Sequence, residues 1–380
     1  MNSTNPTHRE SAHRFAWFGR GCDLLGAQLE AIGQARHSIK LETYIWSSDA
    51  TGRAFRDALA RAARHGLDVM VLIDAFGSRA LPENFFEPLR AAGGKAKRFN
   101  ANHIGRLTLR DHRKLLVVDD NLAFVGGCNL AEEYNGDGVI RGWRDGGMSA
   151  TGPIVAVLRK EFTSQWQRAE QPQWRLVRGG YMQEFEKREK VQALFMKPGL
   201  GSSPLRQALR ADLLRARDIA ITTAYFLPTR QLMRQLLQAA RRGARVRLLL
   251  AGHSDIALMK LAGQLYYKKL IQGSVEIHEY LPQILHAKSM VLDNVVYSGS
   301  SNLDPRSLHL NFELMLRVED AALAAQAGAD FASDLSHSRA VTPEGSWRLW
   351  SAWTRLKQRV AHAVLGKFDP WVTREQIRQL

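Results

Sequence analysis

His112-Arg113-Lys114-Leu115-Leu116-Val117-Val118-Asp119 is answered later in the chain by His286-Ala287-Lys288-Ser289-Met290-Val291-Leu292-Asp293. Each copy sets a His, a Lys two residues on and a distal Asp around an apolar run. Residues two apart on an extended chain share a face, so each His projects together with its Lys. The apolar run between Lys and Asp reads as a buried strand. The following residues repeat too. Phe124-Val125-Gly126-Gly127-Cys128-Asn129 matches Tyr297-Ser298-Gly299-Ser300-Ser301-Asn302, and the His-to-Asn spacing is nearly the same in both. An acid then appears in each copy, Asp145 in Gly-Trp-Arg-Asp and Glu313 in Asn-Phe-Glu. A single His/Lys segment is a weak signal. Two copies with matched small-residue turns and matched asparagines point to a duplicated site.

Two His, two Lys and two Asn converging on one point suit a phosphodiester. Lys114, Lys288, Asn129 and Asn302 are expected to hold its non-bridging oxygens and to offset charge that builds up in the transition state. The small residues before each Asn, Ser300 among them, let a phosphoryl oxygen approach backbone N–H groups. One neutral imidazole attacks phosphorus. The other, protonated, donates to the leaving alkoxide and then takes a proton from the incoming alcohol or water. Asp145 and Glu313 are the candidates to fix the tautomers of these rings. Asp119 and Asp293 complete the motif but sit beyond the apolar run. An orienting role, or a bond to a cation, is expected of them. No cofactor and no metal are expected, because the lysines supply positive charge and no metal-ligand spacing stands out.

These segments resemble the double HxKxxxxD motif of the phospholipase D superfamily. His112 to Asn129, and Gly299 to Leu308 running on to Asn311-Phe312-Glu313, resemble more narrowly its bacterial cardiolipin synthase branch, over about Leu24 to Glu319. The resemblance implies two duplicated phospholipase D-like α/β domains joined as a pseudo-twofold pair. It implies transfer of a phosphatidyl group to the hydroxyl of phosphatidylglycerol, with His112 as nucleophile and His286 as acid/base. The residues alone leave that order open. They also leave open hydrolysis by water in the manner of a phospholipase D, and a phosphodiesterase acting on nucleic acid. A non-enzymatic scaffold would have lost a His or Lys, and all four are present.

The remaining chain supports a duplicated α/β reading. Helical spacing over 23–34, 52–65, 205–217 and 230–242 alternates with strand patterns at 39–46, 69–74, 219–226 and 246–251. That alternation predicts helical crossovers, and hence a mixed, mostly parallel sheet in each domain. The expected layout is a mobile tail at 1–14, a first domain at 15–170, a linker at 171–195 and a second domain at 196–340. A basic amphipathic segment follows at 341–380. There Trp347, Trp350, Trp353, Leu356, Val360 and Val364 form a stripe flanked by Arg348, Arg355, Lys357 and Arg359. It reads either as a membrane-interface helix or as one packed on the second domain.

The 380 residues carry 53 Lys+Arg against 37 Asp+Glu, a net charge of +16 that favours an anionic partner. With no long apolar run, the chain resembles the subgroup without N-terminal transmembrane helices. Peripheral contact with anionic phospholipid at the cytoplasmic side of a bacterial membrane is expected. Nucleic acid is not required, and a monomer carries both motifs. Two cysteines without a framework fit a reducing compartment.

Overall fold

The computed structural model describes residues 13–100, 109–170, 190–199, 203–343 and 352–365. The first half runs β1 (Arg14–Phe18), α1 (Gly21–Gln34), β2 (Ser38–Thr43), α2 (Ala50–Arg64) and β3 (Asp68–Asp74). It continues with α3 (Glu87–Ala91), β4 (Lys95–Phe99), β5 (Leu115–Val118), β6 (Leu122–Gly126), β7 (Gly147–Thr151) and α4 (Ile154–Arg168). The second half replays this with β8 (Val191–Met196), α5 (Pro204–Leu213), β9 (Asp218–Thr223), α6 (Arg230–Arg241), β10 (Arg245–Ala251), α7 (Ala257–Gln264) and α8 (Tyr267–Gln272). It ends with β11 (Val275–Tyr280), β12 (Lys288–Leu292), β13 (Val295–Gly299), α9 (Pro305–His309), β14 (Glu313–Glu319), α10 (Ala321–Ser336), β15 (Ser338–Ala340) and α11 (Ala352–Ala363).

Equivalent helices begin and end by the same chemistry. Asp49 caps α2 by accepting from Gly52 N–H, and Thr229 caps α6 by accepting from Leu232 N–H. Gly66 and Gly243 follow their last turns at φ +86 and +90, a region open to glycine.

The strands form a sheet of order β1-β7-β6-β5-β2-β3-β4 and another of order β15-β11-β10-β9-β12-β13-β14-β8. Both are mixed and flanked by helices, but the mostly parallel pairing read from the sequence is corrected. Among the described residues, parallel ladders are confined to β2-β3-β4 and β9-β10-β11, where helices cross over. The strands around the two motif segments pair antiparallel, because β5 with β6 and β12 with β13 are joined by short turns that leave no room for a crossover.

Two boundaries also shift. Residues 1–12 of the expected tail lie outside the described residues, while Arg14 opens β1, which pairs with β7. Of the expected linker, 171–189 lie outside them, and 191–195 belong to β8. That apolar run completes a sheet edge against β14. In the C-terminal segment Trp347 and Trp350 lie outside the described residues, and Trp353 falls in α11 (Ala352–Ala363).

The two sheets share one core. Val117, Val125, Met148 and Ala150 of the first pack with Phe195, Val296, Leu314 and Leu316 of the second. Phe162 of α4 and Ala327 of α10 close this cluster at its flanks. Each half keeps a separate core on its outer side, under α1 and α2 or under α5 and α6. Apolar burial against each other holds the halves face to face.

Candidate active site

His112 and Lys114 come just before β5, and Lys288 opens β12, so the histidines stand outside the strands expected to carry them. The physical reason is a change of partner. His112 N–H donates to Phe312 O at 2.9 Å and Phe312 N–H to Arg110 O at 2.8 Å. His286 N–H donates to Arg144 O at 2.8 Å and Arg144 N–H to Ile284 O at 2.8 Å. Each motif segment therefore leaves its own sheet and bridges to the other half.

Side chains cross in the same way. His112 Nδ1 donates to Glu313 Oε2 at 3.0 Å, and His286 Nδ1 donates to Asp145 Oδ2 at 2.6 Å. Each ring thus takes its carboxylate from the opposite half. A proton fixed on Nδ1 leaves the Nε2 lone pair free for chemistry. Both carboxylates are buried, which alone would push their pKa up. Hydrogen bonds and charge from the imidazoles, with the nearby lysines, hold both below the ordinary carboxylate range.

Burial acts on the bases in the opposite sense. It pulls His286 down to about 4, helped by the Lys288 charge, and it lowers His112 against the pull of Glu313. Lys114 is brought down to about 7 and Lys288 is also lowered, again chiefly by burial. The imidazoles are accordingly neutral near pH 7, the form a nucleophile requires. An anion entering the site favours the charged lysines and makes the second imidazole easier to protonate.

Turn chemistry differs between the copies. A Cβ placed on Gly127 would run into the Asp145 carboxylate, so this position must stay bare. Its counterpart, Ser300, donates to Glu313 Oε2 at 2.5 Å and accepts from Leu314 N–H at 3.0 Å. The acid of each half is thus seated by the turn of its own half.

Asn129 and Asn302 play equivalent parts. Their Oδ1 atoms accept from Ile45 N–H at 3.1 Å and Tyr225 N–H at 3.3 Å, which leaves the Nδ2 end of each as the donor for a ligand. Both line, with His112 and His286, one cavity of about 370 Å³. Lys114 and Lys288 are buried and are not among its lining residues; each Nζ donates to the carbonyl of the histidine two residues before, at 2.7 Å for Lys114.

Asp119 and Asp293 are remote from the cavity. Asp119 accepts from Arg36, His37 and Ser38 N–H groups, and Asp293 from Arg217 and Asp218 N–H groups, so both tie the chain entering β2 or β9. Cys128 is buried in the first-half core.

The cavity also holds residues that the motifs did not indicate. Tyr134 and Trp143 have ring centroids 5.1 and 5.5 Å from His286, and Tyr44 lies 4.8 Å from His112. Arg110, Asp255, Asp304, Arg306 and Asn311 complete much of its polar wall. Of the aromatic residues at and beyond the ends of the parallel strands, Tyr44 and Tyr225 line it. Trp46, Phe226 and Tyr267 are core, and Tyr266 meets α11.

Two imidazoles in one cavity, each backed by a carboxylate from the other half, define a duplicated phospholipase D-like site. Comparison with known proteins agrees with the fold and narrows the class. The cardiolipin synthase, PLD-like domain family matches residues 29–166 and 209–335. Cardiolipin synthase B of Salmonella typhimurium is 34% identical over 304 residues, 77% of this chain and 73% of that protein. Major cardiolipin synthase ClsA of Bacillus subtilis is 31% identical over 350 residues, 90% of this chain and 72% of that protein. The crystal structure of phosphatidylserine synthase from Haemophilus influenzae Rd KW20 has the same fold, with TM-score 0.68 and 16% identity, covering 95% and 94% of the two chains. The chain belongs to the PLD-like cardiolipin synthase family.

Proposed function

We propose that this enzyme moves a phosphatidyl group from one phospholipid to the hydroxyl of phosphatidylglycerol, making cardiolipin and releasing glycerol. The observation that carries the reading is the pair of imidazoles in one cavity, each held at Nδ1 by the other half's carboxylate. Nε2 of His112 attacks phosphorus while His286, protonated once the anion is bound, gives its proton to the departing glycerol oxygen. The P–O bond breaks as the P–N bond forms. The acceptor hydroxyl then attacks phosphorus, its proton passes to His286, and the P–N bond breaks. Lys114, Lys288, Asn129 and Asn302 offset charge on the non-bridging oxygens. One phosphodiester replaces another of similar energy, so no nucleotide is consumed.

The site is completed within one chain, which supports a monomer as the working unit. No helix among the described residues is long and apolar enough to cross a membrane. Two free cysteines and the basic surface support peripheral attachment at the cytoplasmic face. Purified protein incubated with phosphatidylglycerol vesicles should yield cardiolipin and glycerol in equal amounts. Phosphatidic acid without cardiolipin would replace this reading by hydrolysis. His112→Ala should abolish either product.

A further inference from the structure

The cavity breaks the pseudo-twofold symmetry of the chain at two positions. Arg110 stands two residues before His112, where the second copy has Ile284 before His286. Arg306 stands four after Asn302, where the first copy has Glu133 after Asn129. Both arginines line the cavity that holds the histidines, close to Tyr44 and Asn311. Both are also tied to the chain segment leading into Glu313. Asn311 N–H donates to Arg306 O at 3.0 Å and Phe312 N–H to Arg110 O at 2.8 Å, so one guanidinium comes from each half.

Their surroundings suit an anion. The Arg110 guanidinium carbon sits over the Phe76 ring, 3.8 Å from its centroid, a cation–π contact that holds it at the cavity wall. Burial lowers its pKa, with the Arg306 charge adding to that effect, so like charges face one space. Asp255 and Asp304 share the cavity wall with them, and Asp74 attracts Arg110. Asp74 accepts from Phe76, Gly77 and Asp111 N–H groups, and burial raises it to about 7. Asp304 accepts from Ser307 N–H, and burial raises it to about 6. Asn311 is buried, its Nδ2 donates to Glu313 Oε1 at 3.1 Å, and its Oδ1 has no partner.

We propose that Arg110 and Arg306 form a second phosphate subsite, which binds the phosphodiester of the acceptor lipid while its hydroxyl attacks the phosphohistidine. The inference rests on the function proposed above and adds to it the means by which the acceptor is chosen. In phosphatidylglycerol the attacking hydroxyl stands three carbons from the lipid's own phosphate. In a cavity of about 370 Å³ the walls lie within reach of such a bridge. Water and simple alcohols carry no second phosphate and gain nothing from the arginines. The acceptor O–P bond forms, the P–N bond to His112 breaks, and the hydroxyl proton goes to His286. The arginines take no proton and act on the partition of the intermediate.

One reaction tests this: phosphatidylglycerol vesicles with ethanol present, read as the ratio of cardiolipin to phosphatidylethanol. Both products come from the same intermediate, so the ratio reports acceptor choice alone. Arg110→Gln and Arg306→Gln should each lower the ratio by about tenfold or more, the loss of a charge-assisted bond to phosphate. Arg306→Lys should restore part of it. A ratio within about twofold of the unmodified enzyme would overturn the subsite. So would a variant dead for both products whose lysine replacement is dead as well, since the arginine would then serve folding or the reacting phosphate. If the unmodified enzyme makes phosphatidylethanol but never cardiolipin, the proposed function falls together with the subsite. If it makes cardiolipin at a ratio the variants leave unchanged, only the subsite falls.

Discussion

Asp145 and Glu313 bond to the imidazoles and are not among the residues lining the cavity. Replacing Asp145 by Asn keeps the shape but offers an N–H where His286 Nδ1 needs an acceptor, and the ring turns to the tautomer that blocks Nε2. We expect Asp145→Asn and Glu313→Gln each to cut kcat by roughly a thousandfold or more, with KM for phosphatidylglycerol little changed. A loss under about tenfold would remove the carboxylates from the mechanism. The depressed His286 pKa has a consequence for stability. Its folded value is about 4 against an ordinary 6.5. The unfolded chain therefore binds a proton that the folded protein refuses as pH falls through that window. Stability is full above pH 6.5 and declines towards pH 4, by about 3 kcal/mol for this ring. Urea midpoints at pH 7 and 4.5 measure it. His286→Asn should flatten the slope, and an unaltered slope would assign acid sensitivity elsewhere.

At the level of turns and strands, Gly127 shows how closely a loop is fitted to the acid beside it. Gly127→Ala pushes a methyl group into the Asp145 carboxylate and shifts it off His286. Activity should fall by about a hundredfold, the cost of misplacing a catalytic group by an ångström. Thermal unfolding should change far less than that loss suggests, and a variant of full activity would show that the acid has slack. This level also separates what was legible in the sequence from what was not. The apolar runs at Leu115–Val118 and Met290–Leu292, the capped helices and the paired glycine-rich turns all signal over a few residues, so they could be read directly. Strand direction could not, because pairing in β5-β6 depends on a turn too short for a crossover. The exchange of carboxylates was equally hidden. His112 and Glu313 are 201 positions apart, and both acids had been read only as candidates lying behind the rings. Tyr134, Trp143, Arg110 and Arg306 carry no periodic signal, and only folding of the two halves against each other brings them to the cavity.

For the whole molecule, the open question is how a basic protein meets its lipid, and α11 supplies a physical answer. The helix docks on α7. Ala361 is buried against Leu227 and Ala262, Gln358 Nε2 donates to Gln264 Oε1 at 3.2 Å, and Tyr266 OH and His362 Nε2 share a hydrogen bond of 2.7 Å. Its apolar stripe points the other way. Trp353 is 62% exposed and Val360 54%, with Leu356 and Val364 also open to solvent. The reading of this segment as a helix packed on the second domain holds for one face, while the other is left exposed by the described residues. Exposed Arg355, Lys357 and Arg359 flank the stripe. Just ahead of α7, Ile256 is exposed at the cavity wall, and Met259 within α7 lines that wall too. A helix with apolar and basic faces side by side suits the boundary of an anionic bilayer. Sedimentation with phosphatidylglycerol vesicles should pull the protein down, and high salt or phosphatidylcholine vesicles should release much of it. Leu356→Ser combined with Val360→Ser should weaken vesicle binding by about tenfold, the value of two partly buried aliphatic side chains. Turnover of phosphatidylglycerol in detergent micelles should be unaffected, because neither residue touches the cavity. Equal vesicle binding by the double variant would shift attachment to another surface and leave α11 as a packing helix.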